Sequence, residues 1–165
     1  MMNALARLTR ISSDDKGSMA IETAIVTPVL LVMALGGFEA STMIARQTEL
    51  QSAAAEAAAV VRAVAPETST ERKTVRNIVA TSLCGSTPVT STDSMASCNS
   101  VTVRVTPVFR CGTATDYVTA AGSCGAVTEY AFIRLDLTDR YTPTWAEWGV
   151  GSTISYEVSR TVQIG

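Results

Sequence analysis

The run from Ser18 to Phe38 constrains this chain more than anything else in it, because it carries a single charged side chain, Glu22. Coiled as a helix it is about 31 Å long, the thickness of the hydrocarbon core of a bilayer. Ahead of it, residues 1–17 carry Arg7, Arg10 and Lys16 against Asp14 and Asp15; behind it the chain turns polar with Glu39, Arg46 and Glu49. Counting Lys and Arg, the short leader stays in the cytoplasm and the rest of the chain crosses. A buried core helix of a soluble protein is the competing explanation. The position behind a basic leader is instead that of an export signal.

Helical pattern continues past the run, from Glu39 to Ala65, and stops at Pro66. Met43, Gln47, Leu50, Ala54, Ala57, Val61 and Val64 recur at steps of four and three, a stripe down one face. From 18 to 65 such a helix would be about 72 Å long. It fits either a signal anchor that runs on into a packed domain helix or a spine that packs beside copies of itself. Gly36 with Ala40, and Gly37 with Ser41, stand four apart and would let helices approach closely in lipid. Pro28 removes one backbone hydrogen bond within the run and is expected to kink or loosen it.

Composition narrows the function. The chain has no histidine, which removes the commonest general base and the commonest metal ligand. No nucleophile–base set, carboxylate pair or phosphate loop stands out, so neither enzyme activity nor a cofactor is expected. A net charge of −2 gives no field to hold a nucleic acid. The four cysteines, Cys84, Cys98, Cys111 and Cys124, all follow the apolar run, as an oxidising compartment would favour. Their spacings lack the close pair of a zinc site, so no metal is expected. Four cysteines allow three pairings. Cys84 with Cys98 and Cys111 with Cys124 is the favoured pairing, since each closes a loop of about 15 residues, worth about 3 kcal/mol in the chain-entropy model.

The part after Pro66 reads as α+β. Thr68 and Glu71 form a capping box for a short helix through about Leu83, with Val75, Ile78 and Val79 on its apolar face and Gly85 as its stop. Val101 to Val105, Tyr130 to Leu137 and Ile154 to Val162 alternate as half-buried strands. An antiparallel sheet of about three or four strands is expected, covered on one face by the long helix. Ser/Thr/Gly-rich loops fill 85–100 and 112–126. The segment from Tyr141 to Gly149 holds Tyr141 and both tryptophans, Trp145 and Trp148. It is either a contact patch or a flap over the end of a small core.

Glu22 wants a partner, since a carboxylate at the centre of a span costs about 2.5–3.5 kcal/mol on insertion scales. Cleavage after Gly17 would create one, because Ser18 would then carry a protonated α-amine, able to pair with Glu22 of its own or a neighbouring helix. Here the residues reach a resemblance. Gly17-Ser18-Met19-Ala20-Ile21-Glu22 at the head of an aliphatic helix looks like a prepilin peptidase site. The stretch from Gly17 to Ala63 is similar to the TadE-like family of pseudopilins. The matching pieces are Gly17-Ser18, Ile21-Glu22, Thr27-Pro28-Val29-Leu30-Leu31, Gly37-Phe38-Glu39 and Ala45-Arg46-Gln47. Thr23 stands where the family usually has an aromatic residue.

The resemblance implies a minor pilin, pseudopilin or assembly factor of a tight-adherence (type IVc) pilus, cut between Gly17 and Ser18. Its implied partners are the prepilin peptidase, other pilins and pseudopilins, membrane lipid and, indirectly, the membrane assembly platform with its motor ATPase. It implies a single-pass inner-membrane protein, with the N-terminus cytoplasmic and the C-terminal domain periplasmic, and association with the pilus after assembly. The expected organisation is a cytoplasmic leader over 1–17, a transmembrane part over 18–38, a periplasmic helix extension over 39–65 and a disulfide-containing α+β domain over 66–165. Two alternatives remain: an anchored periplasmic binding module that never enters a filament, and a domain secreted by cleavage near Ala34-Leu35-Gly36.

Overall fold

The computed structural model describes residues 15–164 apart from Ser86, Pro88 and Asp93, and side chains from Met19 onward. Arg7, Arg10 and the rest of the expected leader through Asp14 lie outside the described residues. Helix α1 spans Asp15–Val64 and is continuous through Pro28. It ends where Ala65 takes a left-handed φ of 46° just ahead of the buried Pro66, and the Ala65 N–H donates to the Val61 carbonyl at 2.8 Å. Helix α2 spans Ser69–Cys84. The strands are β1 (Thr90–Ser91), β2 (Met95–Cys98), β3 (Val101–Cys111), β4 (Glu129–Tyr141) and β5 (Ile154–Gln163), with a 3-10 helix over Thr144–Trp148. The chain divides into two compact units, residues 1–42 and 43–165.

The second unit is an antiparallel meander in the order β1-β2-β3-β4-β5. Its fold class is the α+β arrangement expected from the sequence. Alternation puts Ile133, Leu135 and Leu137 of β4 inward, each fully buried. The register sets Val103 opposite Leu137, Val105 opposite Leu135 and Val162 opposite Ile133, so one apolar face is continuous across three strands. Fully burying each large aliphatic side chain contributes about 1.5–3 kcal/mol. Leu50, Ala53, Ala54, Ala57, Ala58 and Val61 of α1, with Val75, Val79 and Ala80 of α2, complete this core. The alanines keep that face of α1 thin.

Two expectations about helix faces need correction. Val64 is 53% exposed and Gln47 is also exposed, so the buried stripe of α1 begins at Leu50 and ends at Val61. On α2, Ile78 is 52% exposed, and the buried face is Val75, Arg76, Val79, Ala80 and Cys84. Arg76 takes the inward place: its guanidinium donates to the Thr92 carbonyl and, at 2.8 Å, to Asn77 Oδ1. The segment 85–100 also holds β1 and β2, which apolar alternation did not announce. β2 pairs with β3 across the turn at Asn99, whose φ of 46° asparagine tolerates well, and β1 pairs with β2.

Candidate functional site

Among the described residues, the most apolar part of α1 is left uncovered. Met19, Ile21, Leu31, Val32 and Phe38 are all well exposed, and the most apolar window of α1 is 0% buried. A soluble core helix would be covered, so that explanation fails. The helix is long and apolar enough to cross a membrane and fits a single-pass membrane protein. Thr23 Oγ1 donates to the Met19 carbonyl at 2.8 Å, so Thr23 brings no orphan donor into lipid.

Gly17 and Ser18 lie in the first turns of α1, and Glu22 is exposed one turn further along. The three thus share one helical segment at the head of the apolar run. Gly37, Ala40 and Ser41 are exposed and Gly36 is half-buried. A Cβ added at Gly36 or Gly37 would meet nothing within 4 Å, so no close approach inside this chain demands glycine there.

The second unit carries the other candidate residues. Disulfides join Cys84 to Cys98 and Cys111 to Cys124. The first ties the last residue of α2 to the last residue of β2, and the second closes the long β3–β4 loop. The aromatic segment is split. Pro143 is buried and Trp145 is half-buried beside Gly151, whereas Trp148 is 73% exposed. Tyr141 is half-buried at the end of β4, so the three aromatics differ in exposure.

Sequence reasoning missed a polar cluster beside Tyr141. Asp139 is 3% exposed and bonded to Arg46 of α1 at 2.9 Å. It also accepts from the Ser100 hydroxyl and, at 2.8 Å, from the Arg140 N–H. The Arg46 guanidinium lies 4.8 Å from the centre of the Tyr141 ring. The signal was present: Asp139 continues the inward phase of Ile133, Leu135 and Leu137, and an acid in that phase calls for a cation from the covering helix. On α2, the Thr68 N–H donates to Glu71 Oε2 at 2.9 Å and the Glu71 N–H donates to Thr68 Oγ1 at 3.2 Å. The Thr68 backbone bond, then the Thr68 hydroxyl, hold the Glu71 carboxyl below its ordinary value.

An apolar groove of about 470 Å³ opens on the second unit, lined by Pro107, Phe109, Ala131, Phe132 and Ile164, with Arg72 among its polar residues. Among the described residues no group of three or more acidic or cysteine side chains could hold a metal ion.

Residues 17–59 match the family described as TadE-like protein. The match opens on Gly17, takes in the whole apolar run and ends inside the buried stripe of α1. It bears out the resemblance drawn from the motifs between Gly17 and Ala63. No curated protein and no solved structure gives a match.

Proposed function

We propose that this chain is a minor pilin, pseudopilin or assembly factor of a tight-adherence (type IVc) pilus, matured by cleavage between Gly17 and Ser18. One observation carries the proposal. The TadE-like match begins at the glycine that stands five residues before Glu22, at the head of an apolar helix whose most apolar window is uncovered among the described residues. Cleavage there gives Ser18 a cationic amine, which offsets the cost of holding the Glu22 carboxylate in lipid. The leader faces the cytoplasm and the disulfide-bonded unit the periplasm, where its bridges form. The peptidase, other pilins and the assembly platform with its motor ATPase are partners, and the chain itself performs no catalysis.

The groove beside Pro107 and Phe109 favours a second reading, an anchored periplasmic binding module. N-terminal sequencing of the protein recovered from its native host separates them. A mature chain beginning at Ser18 supports the pilin role. A chain that keeps its leader, in cells that process other prepilins, overturns it.

A further inference from the structure

We infer that the tip of the β4–β5 hairpin is a second membrane contact, in which Trp148 and Val150 enter the lipid headgroup interface. The inference rests on reading the apolar part of α1 as a membrane span.

The tip is built to present these side chains. The Thr142 and Thr153 hydroxyls meet at 2.9 Å and close its neck. Pro143 is buried beneath it. Gly149 turns the chain with a left-handed φ of 77°, and the Val150 N–H donates to the Trp145 carbonyl at 3.1 Å. A Cβ at Gly151 would stand 3.2 Å from the Trp145 indole nitrogen, so the glycine lets Trp145 fold inward. What points outward is apolar: Trp148 is 73% exposed and Val150 is 63% exposed. Exposing a large indole on a rigid turn gains the fold nothing, whereas tryptophan is favoured at membrane interfaces, where its ring is apolar and its N–H stays wet.

Chain connectivity identifies the occupant as lipid. The hairpin tip follows Tyr141, and Arg46 is bonded to Asp139 and lies over the Tyr141 ring, so the tip is at the Arg46 end of the sheet. Arg46 is eight residues from Phe38, the last residue of the apolar run. As helix these residues rise about 12 Å, and even fully extended they reach no more than about 28 Å. The tip is thus leashed within reach of the bilayer surface. Glu147 is the exposed acid of the tip, so a zwitterionic surface suits it better than an anionic one.

Trp145 and Trp148 are the two tryptophans of the chain, which makes fluorescence a direct test. Full-length protein is placed in phosphatidylcholine nanodiscs, with and without lipids brominated near the top of the acyl chain. In Trp145→Phe, where Trp148 is the sole emitter, bromolipid should remove most of the emission and aqueous iodide little. In Trp148→Phe, Trp145 should respond far less to bromolipid. A third protein, Phe38→Trp with both native tryptophans changed to Phe, reports the span itself. If Phe38→Trp is quenched by bromolipid while Trp148 is quenched only by iodide, the tip inference is overturned and the span stands. Trp148 shielded from both quenchers would mean burial against another protein copy, which also overturns it. If Phe38→Trp is itself unquenched, the span fails and the inference falls with it.

Discussion

Asp139 shows how one side chain can join two elements. It is buried, accepts bonds from Arg46, Ser100 and the Arg140 N–H, and ties the sheet to α1. Arg46 keeps over a third of its side chain in solvent, so removing its partner does not strand a fully buried charge. Asp139→Ala should therefore cost about 2 kcal/mol, below the 3–5 of a fully buried pair. Urea unfolding of the detergent-solubilised protein measures this, and a loss within error of zero would contradict the anchoring role. Glu71 acts locally. Its carboxyl is held below the ordinary value by Thr68, so the folded state favours the charged form. Its contribution is complete above the unfolded-state value and is lost as pH falls through the folded one. Glu71→Gln should flatten that acid-side decline in a pH series of urea midpoints, leaving the neutral-pH fold intact.

At the scale of elements, the two disulfides do different work. Cys84 and Cys98 are both buried and lock α2 to β2, a strand of four residues otherwise held by its pairing with β1 and β3. Cys111 and Cys124 are only half-buried and close a loop beyond the main core. A mild reductant should open Cys111–Cys124 first, followed by differential alkylation and peptide mapping. Replacing Cys84 and Cys98 together by alanine should cost about 3 kcal/mol in the chain-entropy account. The capping box and Gly85 stop of α2 were legible because they depend on neighbours in sequence. Ile78 was misplaced because helical spacing narrows a face to an arc, and the sheet chose Arg76 over Ile78 at its margin. β1 and β2 were illegible: Met95-Ala96-Ser97-Cys98 carries no alternating apolar signal, and the strand exists through its pairing with β3.

At the scale of the molecule, α1 serves two environments with one helix. Its N-terminal part offers apolar side chains that stay exposed among the described residues, and its later part from Leu50 to Val61 lies in the core of the second unit. Under the proposed function, a helix-to-helix contact in the filament uses the earlier part. Under the proposed function, Glu22→Ala should leave membrane insertion intact, read by carbonate extraction, and sharply reduce pilus assembly, read by electron microscopy. Normal piliation in that variant would remove the amine–carboxylate pairing from the account. The apolar run, the Gly17–Glu22 spacing, the capping box and the three long strands were determined by the sequence alone, because hydropathy, period and local hydrogen bonding act over a few neighbours or a single face. The Arg46–Asp139 tie, the inward turn of Arg76 and the different exposure of Trp145 and Trp148 were decided only by tertiary structure. Each depends on which residue distant in sequence arrives opposite, and no local pattern encodes that.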